Sequence, residues 1–175
     1  MNVLVIVAHP NIQESTVNRR WVEELKKHPA ITIHELYRRY PDEVIDEEQE
    51  QMLLLQHDRI VLQFPFYWYS SPSLLKKWMD TVLTYGWAYG VNGDKLHGKE
   101  LMLAISTGAS SEAYQAGGRN HFTISELTKP FQATSNLIGT TFLPSFVLNG
   151  TRNLSEEEIE RSAKRYVEAV LKEQD

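Results

Sequence analysis

The chain has no cysteine among its 175 residues, which removes disulfides, thiolate metal sites and dithiol redox chemistry from consideration. It is also short of positive charge: 18 Lys and Arg against 23 Asp and Glu leave a net charge of −5 at pH 7. That balance gives no electrostatic case for nucleic acid or an anionic membrane surface, so a phosphate-bearing ligand must be held by local groups. Long apolar runs are missing too. The run Met1-Asn2-Val3-Leu4-Val5-Ile6-Val7 is far too short to span a bilayer, and it lacks the basic region and cleavage site of a signal peptide. A cytoplasmic protein is expected. The six histidines never fall in pairs at ligand spacing, so no metal site is suggested. Gly-x-Ser-x-Gly and Walker patterns are absent, as are repeats, low-complexity stretches and linkers. With 42% hydrophobic residues, what remains is a single domain over residues 1–175 with a full core.

What is present is a regular alternation of strand and helix patterns. Residues 2–8 form a continuous apolar run, the mark of a strand covered on both faces. Residues 31–36, 59–64 and 100–105 read as three further strands, and 140–143 with 146–148 as a fifth, interrupted at Pro144. Helices are expected around Val17, Trp21, Val22 and Leu25, and over 47–56 and 73–83. Another is expected over 122–137, bent or split by Pro130. A last helix opens with the capping box Ser155-Glu156-Glu157-Glu158. Residues 37–42 and 84–93 read as loops, the second carrying Trp87 and Tyr89 in an exposed position. The order βαβαβαβαβα predicts a three-layer α/β sandwich with a five-stranded parallel sheet. With strand order 2-1-3-4-5, the switch point lies between the first and third strands, and the loops after strands one, three and four sit side by side.

Those three loops carry the chemistry. The first, from His9 through Ser15, Thr16, Val17 and Asn18, feeds hydroxyls and an amide into a helix N-terminus, where free N–H groups and the helix dipole favour a phosphate. Helix capping by Ser15 or Thr16 explains the same residues structurally. The second loop, Pro65-Phe66-Tyr67-Trp68-Tyr69, places four consecutive aromatics after the third strand. Core packing is the ordinary use of such a cluster, but this position lies where open α/β sheets bind ligands. The third, Ser106-Thr107-Gly108-Ala109, is a small-residue turn in which Gly108 permits close backbone approach. A phosphate end, an aromatic wall and a donor-bearing turn together describe a phosphorylated planar cofactor, best matched by flavin mononucleotide. A receiver domain of the same architecture would need acidic residues where this chain has Ala8-His9 and Phe64-Pro65.

Taken together, His9-Pro10 with Ser15-Thr16-Val17-Asn18, Pro65-Phe66-Tyr67-Trp68-Tyr69, Leu74-Leu75-Lys76-Lys77-Trp78, Gly86-Trp87-Ala88-Tyr89-Gly90 and Thr107-Gly108 resemble the flavodoxin-like NAD(P)H:quinone oxidoreductase family. The similarity spans nearly the whole chain and is greatest to the short branch that includes ancillary subunits of Kef potassium-efflux systems. The resemblance implies a homodimer with two interface sites, each holding one FMN; FAD fits less well, because the C-terminal extension of FAD-using members is lacking. It implies that His9 and Ser15 to Asn18 cradle the phosphate side. Phe66 to Tyr69 would present backbone N–H groups to the ring edge, with Trp68 packed on the rings, and Thr107, Gly108 and Ala109, after Ser106 in the same cofactor-binding loop, would face the pyrimidine side. Trp87 and Tyr89 would line the substrate pocket, Tyr89 from the partner subunit, and Tyr114 with His121 would handle protons. NADPH or NADH would give hydride to flavin N5 and a quinone would take it in ping-pong order; Arg119 is the candidate contact to a 2′-phosphate. Tyr67 stands where relatives often have Gln, Ala109 replaces a frequent glycine, and His121 lies one residue beyond the family spacing. Two other readings are a regulatory flavoprotein bound to a Kef-type efflux system, at the inner face of the membrane, and an electron-transfer flavodoxin.

Overall fold

In the computed structural model, which describes residues 1–173, side-chain alternation along three buried strands decides which helix lies on which face of the sheet. Along β1 (Val3–Val7), Val3, Val5 and Val7 point into one core while Leu4 and Ile6 point into the other. β3 (Arg59–Pro65) and β4 (Glu100–Ser106) repeat the pattern, with Ile60, Leu62, Phe64, Leu101, Leu103 and Ile105 on the second face. β2 (Ile31–Glu35) pairs with the free edge of β1. The order β2-β1-β3-β4-β5 with parallel pairing is the one expected.

The first face is covered by α1 (Thr16–Leu25) and α7 (Glu156–Leu171). Trp21 of α1, fully buried, meets Tyr166 of α7 and Phe146 with ring centroids 4.9 and 5.3 Å apart. The second face is covered by α2 (Leu36–Arg39), α3 (Glu47–Leu55), α4 (Ser73–Val82), α5 (Ile124–Leu127) and α6 (Lys129–Leu137). Ser155 and Glu158 form the capping box reciprocally, as the sequence predicts. Pro130 falls in the first turn of α6, where its missing N–H costs nothing, and the helix pattern over 122–137 divides at Thr128.

One expectation is corrected, and the interruption at Pro144 is found as expected. Residues 37–42 are not all loop, because Leu36–Arg39 makes one helical turn that buries Leu36. The fifth strand is two pieces, β5 (Thr141–Phe142) beside Glu100 and Leu101, and β6 (Phe146–Leu148) beside Ala104 to Ser106. Pro144 between them has no N–H to give to the ladder.

α3 holds a carboxylate that its acidic, leucine-rich sequence does not advertise. Glu50 is 2% exposed and accepts from Tyr40 Oη at 2.6 Å and Trp78 Nε1 at 2.7 Å, with His34 Nε2 at 2.8 Å. Burial alone would push this carboxyl up, but His34, Tyr40 and Trp78 outweigh it and hold it below the usual value of 4.5. One acid thereby joins β2, α2, α3 and α4.

Candidate functional site

The register of the sheet sets the carboxyl ends of β1, β3 and β4 next to one another: Val7 faces Gln63, and Pro65 faces Ser106. A polar contact locks the first loop over this row. Gln63 is fully buried, its Nε2 3.2 Å from both the main-chain and side-chain oxygens of Asn18, and Asn18 Nδ2 donates to Ser106 Oγ at 2.9 Å. A buried amide needs such partners, and here they span α1, β3 and β4. Asn18 and Ser106 therefore serve as frame, their polar atoms engaged with each other. Val17 and Pro65 are buried as well.

At the head of α1, Ser15 Oγ accepts from the Asn18 N–H at 3.0 Å, so Ser15 caps the helix. The N–H groups of Thr16 and Val17 meet no acceptor among the described residues and remain open to an anion at the positive helix end. His9 is partly buried, which lowers its pKa from 6.5, and its Nδ1 accepts from the Asn11 N–H at 3.1 Å. The ring is thus neutral with Nε2 left as a donor. It borders a cleft of about 300 Å³ shared with Pro10, Gln13, Tyr37 and Arg38.

The loop after β3 is a tight reversal. Tyr67 and Ser70 exchange backbone hydrogen bonds of 3.0 and 2.9 Å, while Trp68 and Tyr69 between them sit at φ +49° and +61°. Two positive φ values in a two-residue turn are the type I′ geometry, ordinarily filled by Asn-Gly. Trp68 is 93% exposed. Of the four N–H groups expected to face a ligand, two are already engaged, Phe66 with Ser106 O at 2.8 Å and Tyr67 with Ser70 O. Those of Trp68 and Tyr69 meet no acceptor among the described residues.

The loop after β4 offers two more such donors, Gly108 and Ala109. Thr107 is buried, with its hydroxyl 2.8 Å from both the Ala109 carbonyl and Asn149 Oδ1. Ala109 has no positive φ, so this chain does not need glycine there. Phe66, Trp68, Tyr69, Gly108, Ala109, Tyr114, Arg119, Asn120 and Arg152 enclose a second cleft of about 240 Å³. Phe66 and Tyr114 meet edge to face at 6.0 Å. Burial pushes the Tyr114 hydroxyl up, and Tyr69 adds to this against the pull of Thr107 and Arg119, so it stays protonated at neutral pH.

Three expected residues lie outside the cleft formed by this chain alone. His121 is exposed at φ +62° and does not line the cleft; its neighbour Asn120 does, 3.4 Å from Tyr69 Oη. Trp87 and Tyr89 are half-buried against the core and outside this cleft, and the exposed aromatic of their loop is Tyr85, at 65%. Arg152 escaped the sequence reading altogether. It stands 44 residues (152 − 108) beyond Gly108 in a polar turn, and only the following-strand glycine, Gly150, hints at a special conformation.

A parallel sheet of this order, with donors and aromatics gathered at its switch point, defines the flavodoxin class of α/β proteins. The chain belongs to the flavodoxin-like fold family, which matches residues 1–170, in its branch of NAD(P)H oxidoreductases and quinone reductases. The uncharacterized NAD(P)H oxidoreductase YrkL of Bacillus subtilis is 58% identical over 99% of both chains. The glutathione-regulated potassium-efflux ancillary protein KefF of Klebsiella aerogenes is 40% identical over 97% of this chain and 94% of its own. Among solved structures, general stress protein 14 of Treponema denticola in complex with FMN superposes with a TM-score of 0.92 at 42% identity, covering 95% of this chain and 96% of that one. An NADPH-quinone reductase from P. pentosaceus gives 0.91 at 39%, covering 99% and 100%. A structure described as a thermophilic tryptophan halogenase gives 0.96 at 58%, covering 98% and 99%, so it shares the fold although its described activity differs from the others.

Proposed function

We propose that the protein is an FMN-dependent NAD(P)H:quinone oxidoreductase. The observation that carries this reading is the donor set: open N–H groups at Trp68, Tyr69, Gly108 and Ala109 along one aromatic cleft, and at Thr16 and Val17 on the helix N-terminus that follows the neighbouring strand β1. That set fits a flat ring with hydrogen-bonding edges and a phosphate tail. When bound, FMN supplies two-electron hydride chemistry through N5. The chain does the rest. Thr16, Val17 and the His9 Nε2–H hold the phosphate, and Gly108 and Ala109 direct N–H dipoles at the ring edge where charge develops. Trp68 and Phe66 exclude water from the ring face, and Tyr114 holds a proton beside the cleft. NAD(P)H and quinone take turns in one place, a ping-pong order.

A cleft of about 240 Å³ is below the roughly 300–1,000 Å³ usual for cofactor sites. Exposed Trp68, Tyr69, Tyr85 and Phe122 also leave apolar surface uncovered, so the working unit is a homodimer in which a second copy closes each site. No helix among the described residues is long and apolar enough to cross a membrane. The likeness to KefF favours a second reading, in which the protein works in the cytoplasm against the inner membrane face while bound to an efflux system. Co-purification with a Kef-type channel separates the two.

The deciding experiment is the absorbance spectrum of the purified protein before and after anaerobic NADPH. Bleaching of bound flavin and its recovery with a quinone is the expected result. A colourless protein that takes up neither FMN nor FAD would refute the proposal.

A further inference from the structure

The turn Thr151–Asn153, which follows β6, is tied to the loop after β4 by the Gly150 N–H to Ala109 O at 2.8 Å and the Thr151 N–H to Thr107 O at 3.0 Å. These bonds bring Arg152 to the wall of the second cleft, with its guanidinium laid over Gly108. A Cβ at position 108 would stand 3.0 Å from Arg152 Nε, 3.4 Å from Cζ and 3.5 Å from a terminal nitrogen. With no side chain at position 108, the guanidinium approaches the backbone of this loop closely. The arginine ion pairs among the described residues use Arg19, Arg20, Arg38, Arg59 and Arg161. Arg152 is therefore a cation brought to a ligand cleft and paired with no carboxylate among the described residues.

We propose that Arg152 is a further residue of the cofactor site, placed over Gly108 to offset the negative charge that the bound flavin acquires at its pyrimidine edge on reduction. The inference rests on the flavin reading above. A hydride brings two electrons and one proton to the oxidised ring, so one negative charge remains when no further proton follows. Gly108 and Ala109 offer that edge two N–H dipoles, and Arg152 adds a full charge directly behind them. Arginine suits the position, since its charge is carried on a planar, delocalised group with several donors. A site built this way favours the reduced over the oxidised cofactor and raises the reduction potential.

The test is the two-electron midpoint potential of the reconstituted holoprotein, compared with Arg152→Gln and Arg152→Lys. Arg152→Gln should bind oxidised FMN about as tightly as the parent and reduced FMN about tenfold less tightly. For a two-electron couple this lowers the potential by about 30 mV. Arg152→Lys should recover part of the shift, and the difference between parent and Arg152→Gln should shrink at high ionic strength. Arg152 is exposed, so far-UV circular dichroism and melting temperature should be unchanged and serve as the folding control. An unchanged potential in Arg152→Gln would overturn the assignment and leave the flavin reading standing. So would an unchanged potential with a lost preference between NADPH and NADH, which would make Arg152 a contact to the donor's phosphate. A parent protein that binds no flavin would remove the flavin reading itself.

Discussion

The reversal at Tyr67–Ser70 stores strain that can be measured. Trp68 and Tyr69 both occupy the left-handed region, where an L-residue other than glycine is disfavoured by about 1–2 kcal/mol. Neither side chain recovers much within the chain. Trp68 is 93% exposed, and Tyr69, 47% exposed, makes one side-chain hydrogen bond among the described residues, a long 3.4 Å to Asn120. Replacing the pair by Asn-Gly supplies the residues this turn geometry prefers, at little loss of packing. Taking about 1 kcal/mol for each position, the double variant Trp68→Asn with Tyr69→Gly should be about 2 kcal/mol more stable than the parent. At this chain length that is a rise of about 4–8 °C in Tm. Differential scanning calorimetry of flavin-free protein is the appropriate assay, and flavin retention through gel filtration should fall in the same variant. A stabilised turn with lost cofactor would show strain maintained for binding. A Tm that falls or stays fixed would refute the strain argument, and a variant that elutes fully yellow would refute the role given to the aromatic side chains.

Three other outcomes are expected. Asn18→Ala leaves Ser106 Oγ and the Gln63 amide without their buried partner, a loss of about 3 kcal/mol readable as a lower urea midpoint with the same m-value. An unchanged midpoint would mean that water replaces the side chain. Lys27 and Arg20 hold the Glu24 carboxyl down at about 2, and Glu50 is also depressed from 4.5. Folded values below the unfolded one give stability that is complete above about pH 4.5 and lost as pH falls toward 2. Glu50→Gln should flatten that acid limb and destabilise the protein at pH 7, because Tyr40, Trp78 and His34 then share one amide oxygen; stability identical to the parent at both pH values would count against the network. Finally, Tyr114→Phe should lower quinone turnover about a hundredfold if the hydroxyl donates a proton there. Because burial raises its pKa above the ordinary 10, the parent should lose no turnover to tyrosine ionisation at pH 8, and a fall beginning there would contradict this.

The sheet was legible because its determinants are local. Val3 to Val7 and Arg59 to Phe64 have few ways to satisfy both faces, and alternation assigns each side chain to one. The capping box at Ser155 and the break at Pro130 were readable for the same reason. The site was legible by loop and only partly by residue. Position after a strand end says that 65–69 and 106–109 lie at the switch point, yet it does not say which groups are already bonded. Asn18, Ser106 and Thr107 have hydroxyls and amides suited to a ligand, yet the fold bonds Asn18 to Ser106, and Thr107 to Ala109 and Asn149. His121 and Asn120 show the limit of spacing, since one residue in an irregular loop changes which side chain faces the cleft. Arg152 and Glu50 were invisible because their partners are distant in sequence and neither belongs to a periodic pattern.

The break at Pro144 also governs how copies of this chain can meet. β5 and β6 form the outer boundary of the sheet on that side, and an intact strand there would present a continuous row of N–H and C=O groups that another molecule could extend. Two residues, an interruption and three residues do not make such a template. Growth of the sheet from one molecule into the next is thereby discouraged on this border, and association is directed toward contacts between side chains. The proline that shortens a strand thus also makes this border a poor template for backbone pairing with another molecule.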